Sequence, residues 1–105
     1  MATLAVQNPL VLNERQAPQP DVAVLRYRKD GYRAKDPGPG DTLLVIEVAD
    51  TSLAYDRDTK IPLYAHAGIP EAWLVDLVAE TISVFRRPGR DAYGDIVTVR
   101  RHEIL

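Results

Sequence analysis

Apolar residues are distributed along the chain in runs of two periods, and the change of period fixes the order of elements. DVAVLR, Asp21 to Arg26, alternates apolar and small residues directly after Pro20 and predicts a strand that opens on its aspartate. Leu43 to Ala49 is the most hydrophobic run and predicts a strand near the sheet centre, although it carries Glu47 inside it. KDGYRAKDPGPGD between them is too long and turn-rich for a tight hairpin, and the two strands are expected to pair antiparallel. Upstream, LAVQNPLVLNE is interrupted at Pro9 and reads as a broken or edge strand, with a loop through RQAPQP.

After Ala49 the period becomes helical. Thr51 or Ser52 can cap a helix from Leu53 to Ala67 through a side-chain oxygen, and Gly68 can end it. Leu53, Tyr64 and Ala67 fall on one side, and Pro62, beyond the first turn, removes a donor and predicts a kink. AWLVDL and TISVFRR form a hairpin pattern, and DIVTVRR repeats the alternation. The order strand, strand, helix, strand, strand, strand gives an α/β or α+β domain. A single helix covers one sheet face, so the other is expected to need a partner chain or further residues.

Composition narrows this little but excludes several classes. The 105 residues, 46% hydrophobic, are enough for one small domain spanning 1–105. No cysteine is present, which removes disulfides and thiolate metal sites, and the cytoplasm is the expected compartment. No apolar run approaches the ~20 residues of a membrane helix, so no membrane association is expected. The net charge of -2 and pI near 5.6 give no overall basic footprint. Local basic clusters occur at Arg26, Arg28, Lys29, Arg33 and Lys35, and at Arg86, Arg87, Arg90, Arg100 and Arg101; such clusters are usually solvated surface.

The candidate chemistry lies in Asp21, Glu47 and Lys60. If the first two strands pair so that Asp21 lies near Glu47, two carboxylates converge where a hard divalent cation, magnesium or manganese, suits them, with the Val48 carbonyl and waters completing the shell. Lys60 falls on the helix face turned to the sheet, where it can stabilise developing phosphate charge, with Asp56 one turn earlier to hold it. Each residue also has a plainer reading. Asp21 taken alone is a strand-start or turn residue. Glu47 is as readily the acid of a structural ion pair with Lys60 or Arg57. Lys60 alone reads as a snorkelling helix residue. Tyr64 and Trp73 read as core or interface aromatics, and His66 and His102 lack metal-ligand spacing. The GPG at Gly38 to Gly40 is a turn rather than a phosphate loop, and Asp41 belongs to it.

PDVAV followed by LLVIEVADTSLAYDRDTKIPLYAHAGIPEAWLVD resembles the signature of the Uma-type restriction endonuclease family, within the PD-(D/E)xK nuclease superfamily. The resemblance runs from about Pro9 to beyond Phe85. It implies a restriction-endonuclease-like mixed sheet with one main helix packed on it, and a magnesium-dependent endodeoxyribonuclease in which Asp21 and Glu47 bind metal. DNA is the implied partner. The lysine usual two residues after the second acid is here Ala49, and Lys60 on the next helix takes its place in this branch. Relative to the family the chain is short at the N-terminus: an additional helix is absent, and Glu14, in a loop-like context, does not obviously replace its acid. That shortness keeps a second expectation open, a catalytically inactive remnant of the nuclease fold acting as a dimerisation or nucleic-acid-binding module. A homodimer is expected on either reading, from the bare sheet face and the apolar stretches around Trp73.

Overall fold

The structure, a computed structural model, describes residues 2–6, 20–27 and 38–100, the first of these by backbone alone. Among the described residues six strands form one mixed sheet in chain order: β1 (Ala2–Val6), β2 (Val22–Arg26), β3 (Thr42–Ala49), β4 (Glu71–Asp76), β5 (Thr81–Pro88) and β6 (Tyr93–Arg100). Among these described strands only β3 and β4 run parallel, and their connection carries the helical segment; the other neighbouring pairs are antiparallel. The Asp21-to-Arg26 and Leu43-to-Ala49 runs therefore pair as the alternation requires. Val22 lies opposite Ile46 and Ala23 opposite Val45, with a bulge between Val24 and Leu25. β1 stands at one end of the sheet among the described residues, and the segment around Pro9 and Glu14 and residues 28–37 lie outside them.

The helical segment has three parts: α1 (Leu53–Tyr55), a π-helical turn (Asp56–Lys60) and α2 (Ile61–His66). The wide turn is where Pro62 leaves its mark. A regular ladder would ask the Pro62 nitrogen to donate to the fourth carbonyl before it, which proline cannot do. The chain opens instead into the wider turn, closed by Ile61 N–H on the Asp56 carbonyl. Ser52 stands at the N-cap, but its hydroxyl makes no capping bond and reaches Asp56 instead, at 2.9 Å. Gly68 ends the segment as expected. With φ of +80° it allows Ile69 N–H to reach the Tyr64 carbonyl (3.1 Å) and its own N–H to reach that of Ala65 (3.0 Å), a Schellman closure.

Alternation along the strands then decides what the helix covers. Ala23, Leu25, Val45, Ala49, Ala72, Leu74 and Phe85 point to the helical side and pack against Ile61, Tyr64, Ala65 and Ile69, all buried. Glu47 belongs to that same inward set. The opposite face carries a row matched across the strands, Val22, Ile46, Trp73, Val84 and Val97. Trp73 is half-buried there, its indole N–H donating to Glu71 at 2.6 Å, while Glu71 also pairs with Arg86 at 2.9 Å. The β4–β5 turn is closed by Asp76, whose Oδ1 accepts the amides of Val78 and Ala79 at 3.0 Å each.

Candidate active site

Glu47 sits within β3, flanked by β2 and β4 and covered by the helical segment, and its exposure is 0%. Such a group must be compensated by its neighbours. Oε2 accepts the Tyr64 hydroxyl at 2.5 Å and lies 3.2 Å from Lys60 Nζ. Oε1 turns to the β2 side, where the Asp21 amide reaches it at 3.4 Å. Asp21 in turn accepts the Val48 amide on Oδ2 at 2.7 Å. The register continues the Val22–Ile46 pair by one step, so Asp21 and Glu47 are cross-strand neighbours on the helical face.

Main-chain geometry adds a third oxygen at this spot. Successive residues of a strand direct their amide and carbonyl to opposite neighbours. The Ala49 carbonyl accepts Leu77 N–H on the β4 side at 3.0 Å, so the Val48 carbonyl, like its amide, is directed to the β2 side with Asp21. Two carboxylates and a carbonyl thus share one end of the β2–β3 pair. Among the described residues no group of three or more His, Asp or Glu side chains could hold a metal ion. The donors gathered at this end of the pair, two carboxylates and a main-chain carbonyl, are all oxygen, the donor type that a hard cation takes.

The helical segment supplies the positive charge. Lys60 Nζ bridges Glu47 and, at 3.7 Å, Asp56 Oδ1, while Asp56, only 4% exposed, has its other oxygen on the Ser52 hydroxyl. Burial pushes the Glu47 pKa up; the Tyr64 hydrogen bond and the Lys60 charge oppose this without cancelling it. Burial pulls the Lys60 pKa down, but the carboxylates of Glu47, Asp56 and Asp21 outweigh it and leave the pKa raised. Lys60 is a cation, and the acid it faces still carries a net burial penalty. Burial and the Glu47 contact together drive the Tyr64 pKa far up, so its hydroxyl keeps its proton and acts as a donor.

Asp21, Glu47, Val48 and Lys60, singled out from the sequence, are thus brought together, with Asp56 supporting. Ala49 is buried on the same inward face as Glu47, so a lysine there would be directed at the space that Lys60 enters from the helix. Arg57 does not join them; it turns to Asp58 at 2.9 Å. His66 bonds the Arg90 carbonyl at 2.9 Å, away from the acids, and His102 lies outside the described residues. Asp41 is the turn residue expected, accepting the Gly38 amide at 3.0 Å. Tyr64, a core aromatic by its sequence pattern, is also a partner of the acid through its hydroxyl. Its spacing of one helical turn from Lys60 is the signal that ties it to the same carboxylate.

A mixed sheet with one main helical segment packed on it is the restriction-endonuclease-like nuclease fold. The chain is similar in structure to a crystal structure described as "a putative nuclease belonging to DUF820" from Anabaena variabilis ATCC 29413, with a TM-score of 0.68 and 18% identity. The match covers 99% of this chain and 57% of that one, so the chain spans little more than half the length of that protein. No curated protein matches it. The family model Uma2, described as "Putative restriction endonuclease", matches residues 2–105, and the chain belongs to that family. No helix among the described residues is long and apolar enough to cross a membrane.

Proposed function

We propose that the chain hydrolyses DNA phosphodiester bonds as a metal-dependent endonuclease, with Asp21, Glu47 and the Val48 carbonyl as ligands of Mg2+ or Mn2+. The observation that carries this reading is a fully buried acid whose one oxygen is held by Lys60 and Tyr64 while the other accepts the main-chain amide of Asp21, whose own carboxylate is held beside it by the Val48 amide. A cation bound there would polarise the phosphate and lower the pKa of an attacking water. The chain's own part is positional. Asp21 is fixed by the Val48 amide, and Lys60, its side chain 21% exposed, is held by Asp56 and Glu47 at the edge of solvent, where a phosphate oxygen can meet it. Water attacks phosphorus and gives up a proton to solvent, the bond to the leaving sugar oxygen breaks, and that oxygen takes a proton from solvent.

Nicking of supercoiled plasmid tests this. The wild type is expected to nick in Mg2+ or Mn2+ and not in EDTA, with Asp21→Asn and Glu47→Gln each lowering the rate at least 100-fold. The second reading, a noncatalytic nuclease-fold module, is favoured by the direct Lys60–Glu47 pair at 3.2 Å, which neutralises the acid without a metal. Metal-independent absence of nicking, with retained binding to a DNA duplex, would support that reading instead. A homodimer belongs to either reading; on the face away from the helix Val97 is exposed, while Val22, Ile46 and Trp73 are half-buried. Sedimentation as a monomer at high concentration would remove it.

A further inference from the structure

Tyr64 is fully buried, and its hydroxyl is spent on one atom, Glu47 Oε2. A core aromatic needs no hydroxyl, and a buried one must be satisfied, so its presence here calls for a reason beyond packing. Tyr93 makes the contrast. It is also buried, packs its ring 5.9 Å from that of Phe85, and satisfies its hydroxyl on the Ile69 carbonyl at 2.7 Å, with no acid involved.

We propose that Tyr64 is a positioning residue for Glu47, fixing Oε2 so that Oε1 is presented to the Asp21 side. This rests on the metal-site reading above. Lys60 alone cannot do it, because a flexible ammonium with three donors attracts the carboxylate without setting its rotation. A phenol at the end of a rigid, fully packed ring defines where the oxygen lies. The helix geometry brings the ring into place. At ~100° per residue, Asp56 and Tyr64, eight residues apart, would diverge by about 80° on a regular α-helix. The wide turn at Asp56–Lys60 advances less per residue and takes up much of that difference, so that Asp56, Lys60 and Tyr64 all face the strand acid. Wide turns of this kind are frequent at functional sites.

The test is calorimetric Mn2+ binding and thermal unfolding of the wild type, Tyr64→Phe and, as a control, Tyr93→Phe. Phenylalanine keeps the ring and removes only the hydroxyl. Tyr64→Phe is expected to weaken Mn2+ binding 10- to 100-fold, the usual effect of losing a group that orients a ligand. Tyr93→Phe, which also loses a buried hydrogen bond, should lower the melting temperature while leaving Mn2+ affinity within twofold. Equal Mn2+ affinity in wild type and Tyr64→Phe, or an equal loss in Tyr93→Phe, would overturn the inference and leave the metal site standing. A wild type that takes up no Mn2+ would overturn the metal site itself, and with it this role for Tyr64.

Discussion

Glu47 is the residue on which the site depends, a buried strand acid gripped by Tyr64 and Lys60 from the helical segment. Its place on the inward face was legible in the sequence, because Val45 and Ala49 on either side alternate with it. So was its nearness to Asp21, since one antiparallel pairing fixes both. What was not legible was the carboxylate's rotation, which depends on a phenol and an ammonium arriving from the helix. That dependence predicts the effect of removing Lys60. Lys60→Met, measured by urea unfolding in EDTA at pH 8, should cost about 3 kcal/mol, the lower end for stripping a buried acid of its partner because Lys60 is partly exposed. The cost should also depend on pH. A carboxyl whose pKa is raised in the folded state contributes stability that is fully present below its unfolded value and lost as pH rises through the folded one. Without Lys60 that loss deepens, so the variant should approach wild type near pH 4.5 and fall behind it as pH rises. A cost independent of pH would mean that Lys60 acts through packing alone.

At the scale of elements, the helical segment carries most of the departure from simple expectation. A helix from Leu53 onward, ended at Gly68, was readable from periodicity and the glycine. The response to Pro62 was not, because proline can kink, end or widen a helix, and which occurs depends on the sheet beneath. Here the wide turn lets one segment satisfy both the core, through Ile61 and Ala65, and the acid, through Lys60 and Tyr64. The Ser52 side chain shows the same priority: it is drawn from capping to the buried Asp56. The C-terminal closure is a simpler matter. Nothing lies within 4 Å of a Cβ built on Gly68, so substitution there meets only the backbone cost of a positive φ. Gly68→Ala should therefore destabilise by about 1 kcal/mol, seen as a shift in the urea midpoint with unchanged slope. No change at all would mean the closure is not formed in solution.

For the whole molecule, the parallel pairing of β3 with β4 is what demands a crossover, and among the described residues that connection carries the helical segment. That crossover places the helix on the face bearing Asp21 and Glu47, and leaves the row through Trp73 on the other. Family membership and fold agree with this arrangement, and the central claim that goes beyond them is that the two acids hold a cation together. Calorimetric titration of Mn2+ into the wild type, Asp21→Asn and Glu47→Gln tests it most directly. The account predicts a single site in the wild type, lost in both variants while their circular dichroism is unchanged. No binding by the wild type, or binding that survives both substitutions, would contradict it and leave Glu47 as the acid of a structural pair with Lys60.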